Sequence, residues 1–352
     1  MIPLSASRNR LRRLNFFRIS FFLLIFSFLL TALFIINGLF ITLLLAFIIN
    51  FVLLPPVNQL CKLGISRNAS TSLVFLTSLT FLVSLIVWSL PFLSQQFLNL
   101  KYEFPNYIQK TTLLITLWQE NLETHFSFMK SIDLSSNLET FLRSLGTAFL
   151  QDLPSTLTQS FTILLMAPFF AFFMVKNERG LTRYLYPLVP NQIFEMFLGL
   201  HYKISHQIGI FIRGRLLEAL AVGFIVGTSL VIFDFPFPIL LAGFSALANL
   251  IPYVGPFVAS IVIFLVALVN DYETSRILIV LGIFYAAQVI DSMVLVPIFL
   301  ARTVNLHPLT VIVILIAGAQ FMGILGMVIS IPLASALKVS VMAVYQHVSD
   351  NI

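Results

Sequence analysis

The sequence predicts an all-α polytopic membrane protein with six full transmembrane helices, two re-entrant or broken helical hairpins and an extracytoplasmic helical insert. Three observations lead there. Apolar residues make up 59% of the 352 positions and charged residues only 10%, against about 25% charged in an ordinary soluble domain. A chain so poor in charge, with a mean hydropathy of +1.00, cannot cover a water-facing surface, which excludes a soluble enzyme, a disordered chain and a coiled coil. Apolar runs long enough for a hydrocarbon core of about 30 Å also recur along the chain. Finally, two further apolar stretches are interrupted by proline, glycine and amide residues.

The elements follow in order. Arg8, Arg10, Arg12, Arg13 and Arg18 precede an apolar run from Ile19 to Ile36. No small-residue cleavage site follows, so this reads as an uncleaved first span. Asn37-Gly38 is a turn signal, and Leu39–Leu54 is a second span, expected to stop at Pro55-Pro56. Leu73–Leu90 is the third. From Phe92 to Ser155 charges appear every few residues, which marks a helical insert outside the membrane. The fourth span runs from about Leu157 to Val175, with a kink expected at Pro168.

Within 176–215, apolar residues from Ile193 to Phe211 recur at three- and four-residue spacing. That is one face of a helix, expected on the membrane surface or in a groove between spans. Leu216–Phe233 and Ile277–Val296 are the fifth and sixth spans, the latter ending at Pro297. Residues 237–269 are broken by Asn249-Leu-Ile-Pro-Tyr-Val-Gly-Pro256, and 308–337 by the run Gly318 to Gly326. Each half is about 10–14 residues, or about 15–21 Å of helix, too short to cross. Each broken stretch is therefore either a hairpin returning to its own side or a single kinked crossing.

Charge orients the chain. With the N-terminus cytoplasmic and both broken stretches returning, Lys101, Lys110, Lys130, Arg143 and Arg276 fall outside. The other fifteen of 20 basic residues then fall inside, as the positive-inside rule requires. Both termini are expected in the cytoplasm. The single cysteine, Cys61, excludes intrachain disulfides and a zinc cluster. There is no phosphate-binding loop, HExxH or GxSxG. No catalytic residue, metal ligand or cofactor is expected, and the chain reads as a non-enzyme with no nucleic-acid partner.

The polarity inside the apolar segments is sparse. Asp291 is the only ionisable residue deep within an expected span, and Gln288 lies one turn before it on the same face. A carboxylate near the bilayer centre costs at least about 2.5–3.5 kcal/mol, so Asp291 faces a cavity or a partner. It serves either a cation, proton or substrate site or a structural hydrogen bond. Asn249, Pro252, Gly255 and Pro256 in the first break, and Gln320, Gly323 and Gly326 in the second, free backbone groups that a membrane tolerates only beside protein or water. They are assigned with Asp291 and Gln288 to a substrate or ion pathway at which the two tips meet. Arg215 and Glu218 are three residues apart, a local pair or a cytoplasmic gate. Interrupted apolar segments in corresponding positions are the sequence mark of a transporter's binding site.

Several stretches together resemble a family. Phe211-Ile-Arg-Gly-Arg-Leu-Leu217, Asn249 to Pro256, Gln288-Val-Ile-Asp291, Val296-Pro297, Leu306-His-Pro-Leu309, Gly323-Ile-Leu-Gly326 and Ile331-Pro-Leu333 are similar to those of the autoinducer-2 exporter family, the PerM-type bacterial permeases. The likeness covers most of the chain and is specific over 168–335. It implies a multi-pass transporter of the bacterial inner membrane without an ATPase domain. Members are associated with export of autoinducer-2, and some with sodium/proton antiport. Two positions depart from the pattern: Arg215, where Gln is usual, and Glu218, where an apolar residue is usual. Asp291 fits it.

The expected organisation is N-terminal spans over 1–91, the insert over 92–155, the fourth span and amphipathic helix over 156–215, and a transport core over 216–340. The expected function is a secondary transporter exporting a small polar metabolite or signal such as autoinducer-2. Sodium/proton antiport is the alternative, and a non-transporting membrane scaffold or sensor built on 92–155 the third reading. The expected partners are the lipid bilayer, a small polar solute or cation, and further copies of the same chain in a homo-oligomer.

Overall fold

A computed structural model describes residues 31, 38–125, 134–146, 152–178, 180, 194–270, 274–300 and 307–350. The ordered elements among them are all helical: α1 (Leu39–Lys62), α2 (Arg67–His125), α3 (Leu134–Gly146), α4 (Asp152–Lys176), α5 (Phe194–Ile232), α6 (Pro238–Asn249), α7 (Val254–Val269) and α8 (Thr274–Ile290). A π turn (Asp291–Leu295) then leads into α9 (Val296–Leu300), and α10 (Pro308–Asp350) follows. Among the described residues, five stretches are long and apolar enough to cross a membrane: Leu39–Lys62, Arg67–Asn121, Phe194–Ile232, Leu278–Ile298 and Leu309–Ala343. The expected first span lies outside the described residues. The described apolar part of the fourth, Ile163–Lys176, is shorter than these.

Several expected boundaries are crossed by continuous helix. Pro55 and Pro56 lie inside α1 and do not stop it. A helical proline frees the carbonyl four residues back. For Pro55 that is Phe51, whose oxygen accepts from Arg213 Nη1 at 2.7 Å. α2 runs through Phe92 with Pro91 and Pro105 inside it. Its 59 residues reach about 88 Å at 1.5 Å per residue, far more than the bilayer needs. The change of composition at Phe92 alters what the helix faces and leaves its backbone unbroken. The amphipathic stretch and the fifth span are likewise one helix, α5, so its apolar face runs on into the span and does not turn onto the surface. Pro297 does not end the sixth span either. Its ring lacks an N–H and crowds the carbonyl four residues back, Met293, and there the helix widens into the π turn before continuing to Leu300.

The two broken stretches both fold back. α6 and α7 meet at a turn over 250–253, where Tyr253 takes φ 64°. The two ends of this hairpin come together at one residue of α2. Tyr107 stacks near Phe237, with ring centroids 6.3 Å apart, and its hydroxyl accepts from Asn270 Nδ2 at 2.6 Å. Lys110 Nζ donates to the Val269 carbonyl at 3.1 Å. α10 breaks at Met322 and Gly323, whose dihedrals leave the helical region. In a straight helix Gly318 and Gly326 would lie about 12 Å apart. Here a Cβ on either would collide with the carbonyl of the other, and Leu315 and Ile331 share one apolar cluster.

α5 is the hub of the packing, meeting α1, α6, α8, α9 and α10. The largest core joins Val222, Val226 and Leu230 of α5 to Leu241, Ile263 and Phe284 of the surrounding helices. At the far end of the molecule from Tyr107, Arg67 Nε and Nη2 donate to the Val175 carbonyl at 3.1 and 2.8 Å, and Nη2 pairs with Glu178 at 2.5 Å. The start of α2 is thereby tied to the end of α4.

Candidate functional site

The middle of α5 carries two charged side chains that water does not reach. Arg215 is 5% exposed and Glu218 is fully buried. At three residues' spacing they share a helix face, and Arg215 Nη1 bonds Glu218 Oε1 at 2.5 Å. The pair read from the sequence therefore forms, deep inside the molecule. Arg215 Nε also donates to the Leu250 carbonyl at 3.3 Å. Leu250 caps α6, where the last carbonyls of a helix lack intrahelical donors and carry a partial negative charge. A guanidinium thus holds the tip of the first hairpin.

The π turn brings in a second acid. Asp291, 4% exposed, opens that turn and accepts from Gln288 Nε2 at 3.2 Å, as the one-turn spacing implies. Its carboxyl group faces Glu218 and lies beside Asn249, with Arg215 near enough to act on both acids. Glu218 Oε2 and Asp291 Oδ1 are buried there with no donor. Both amide atoms of Asn249 and the hydroxyl of Ser245, one turn earlier in α6, also lack a hydrogen-bond partner. Two carboxyl groups and one guanidinium leave one negative charge when all are ionised. Buried charge is costly unless balanced, so this cluster calls for one more positive charge, a proton or a small cation.

The first break is shaped by residues that tolerate it. Gly255 has no room for a Cβ, which would fall on the Ala248 carbonyl. Pro252 lies in the turn, its carbonyl accepting from Val254 N at 2.7 Å. Pro256 stands in the first turn of α7, where a missing N–H costs nothing. Gly255, Pro252 and Pro256 therefore build the tip, and Asn249 supplies its buried polar group.

The second break is placed differently from the expectation that the tips meet. Ile251, in the first turn, packs with Val311, Leu315 and Ile331 on the limbs of the second hairpin. Gln320 and Gly323 are exposed and Phe321 is 86% exposed. Gly323 takes φ 61°, which glycine adopts at little cost, and Gly326 lets the two limbs touch. Gln320, Gly323 and Gly326 thus form a turn of their own, apart from the Arg215–Glu218–Asp291 cluster. Sequence reasoning set Arg215 and Glu218 apart from Asp291, and the structure unites them. It passed over Ser245, whose only signal is its place one helical turn before Asn249.

The chain was compared with known proteins. The family profile described as AI-2E family transporter matches residues 23–346. "Putative transport protein YrrI" of Bacillus subtilis (strain 168) is 25% identical over 307 residues, covering 87% of this chain and 86% of that protein. "Putative transport protein YueF" of the same strain is 27% identical, covering 86% and 83%. "Putative permease PerM" of Escherichia coli (strain K12) is 25% identical, covering 87% of each.

Proposed function

The chain belongs to the AI-2E transporter family, and we propose that it is a secondary transporter moving a small polar solute past the Arg215–Glu218–Asp291 cluster. The observation that carries this reading is the cluster itself: three ionisable side chains, each at most 5% exposed, in helices otherwise fit for lipid. Ionisable groups at such depth mark transport paths. The broken α6–α7 segment beside them supplies an unpaired amide and a helix end, as discontinuous helices do in transporter sites. Asn249, Gln288, Pro252, Gly255 and Pro256 support the cluster in this reading. The direction is export, with autoinducer-2 the first solute to test.

The charge balance of the cluster favours a second reading on the same scaffold, in which proton or cation exchange drives the solute. Purified protein in liposomes separates the two. Labelled solute efflux tests the first, and proton movement after a sodium pulse tests the second. Asp291→Asn keeps the shape and removes the charge, so it is expected to insert normally and lose ion-coupled flux. Asp291→Glu should retain part of it with a shifted pH dependence, and Gln288→Ala should weaken it less. Wild-type flux and pH dependence in Asp291→Asn would leave Asp291 as a packing residue.

In this reading both hairpins are re-entrant, both termini are cytoplasmic and residues 92–155 are extracytoplasmic. In a Cys61→Ser background, cysteines at Pro238 and Asp271 should label from the outer face and one at Ser349 from the inner face. Labelling of the first two from opposite faces would make the first broken segment a single crossing.

A further inference from the structure

The N-terminal helices and the α5 hub meet at a hydrogen bond that the transport reading does not use. Pro55 lacks the N–H that would serve the Phe51 carbonyl, and Pro56, the next donor along, lacks one too. In a membrane such a carbonyl must find a donor on a neighbouring element. Arg213 Nη1 supplies it at 2.7 Å, across 162 residues of sequence. Gly209, one turn earlier in α5, makes the room. A Cβ there would stand 3.1 Å from Arg213 Nη1 and 3.2 Å from Phe51 Cδ1. Two residues further along α5, about 200° around the helix, Arg215 reaches the Leu250 carbonyl at the hairpin tip. One turn of α5 thus grips α1 on one side and the hairpin on the other, each time by a guanidinium on a carbonyl that its own helix leaves unserved.

We propose that Arg213 is a positioning residue for the buried cluster. With the Gly209 notch and the carbonyl freed by Pro55, it fixes the rotation of α5 against α1, and Arg215 transmits that setting to the hairpin tip. The proposal uses the transport reading for its flux measurement alone. The geometry can be tested without it.

A double-mutant cycle is the test, run on the full chain in detergent and in liposomes. Arg213→Met removes the donor. Pro55→Ala gives the Phe51 carbonyl an N–H of its own, so the arginine becomes redundant. Arg213→Met alone is expected to lower the unfolding midpoint by about 3 °C and the maximal flux per folded protein about fivefold, with KM changed less than about twofold. In the Pro55→Ala background both losses should fall to less than half. Arg213→Lys should recover part of the flux, since an ammonium can also reach the carbonyl. Gly209→Leu crowds both the guanidinium and the Phe51 ring, forcing the link apart while leaving both partners in the sequence. It should match Arg213→Met and add little to it, which keeps the test open if Pro55→Ala fails to fold. Equal losses in both backgrounds, or full additivity of Gly209→Leu with Arg213→Met, would overturn the proposal. If the wild type carries none of the solutes tried, the transport reading fails, and the midpoint cycle alone decides whether the Arg213–Phe51 link holds α5 in place.

Discussion

The first hairpin turns with the α6 side of its tip against the buried cluster, where Asn249 is 1% exposed and Leu250 is held by Arg215, while Tyr253 at the turn is exposed. The second turns in the open, with Phe321 86% exposed. Both were legible as interrupted apolar runs, and both fold back, yet only the first joins a buried polar cluster. The difference lies in what meets the freed backbone. In the first, an arginine from α5 serves the end of a helix. In the second, a left-handed glycine and two facing glycines let the chain reverse with no outside help. A broken helix in an apolar chain therefore marks a reversal, and a buried polar side chain within a turn of the break marks a site.

Substitutions can break this contrast. The largest expected effect is that of Arg215→Met, which leaves Glu218 and Asp291 facing each other without their guanidinium and frees the Leu250 carbonyl at the hairpin tip. Loss of one partner of a buried pair costs about 3–5 kcal/mol, read as a lower unfolding midpoint and a lower yield of folded protein. An unchanged midpoint would mean that the two acids need no guanidinium between them. Next come the glycines. Gly255→Ala forces a Cβ onto the Ala248 carbonyl and should cost about 1–3 kcal/mol through overpacking. Gly323→Ala has open space around it and should cost about 1–3 kcal/mol through backbone strain alone, because φ 61° with ψ −141° is a conformation that glycine adopts and alanine does not. Equal costs with equal loss of flux would show that the two tips do the same work. The smallest effect is expected for exposed Gln320→Ala, within about 0.5 kcal/mol and with flux unchanged. A strong loss of flux there would return the second tip to the pathway.

Much of this was readable before any coordinates. Length and hydropathy located the spans at Leu39, Leu73, Leu216 and Ile277, because lipid demands long apolar runs and little else produces them. The breaks at 249–256 and 318–326 were visible because proline and glycine punctuate a helix wherever they occur. The expected stops at Pro55-Pro56 and Pro297, and the change of composition at Phe92, are each crossed by continuous helix. In each case a local signal was outvoted by packing: Arg213 at the Phe51 carbonyl, the docking of Gln96 and Tyr107 on the first hairpin, and the π turn ahead of Pro297. The meeting of Glu218 with Asp291 was not readable, because 73 residues and a π turn separate them. Asp291 stood out by being alone in its span, whereas Arg215 and Glu218 looked like a local pair at a helix start.

The rod formed by α2 also orders events in time. Tyr107 and Lys110 find their partners at Asn270 and Val269, 163 and 159 residues later. At a synthesis rate of about 5–20 residues per second, the rod reaches the membrane roughly 8–30 s before those partners exist. The first hairpin thus closes against a post that is already standing, and a ribosome arrested short of Phe237 would leave that post without its partners.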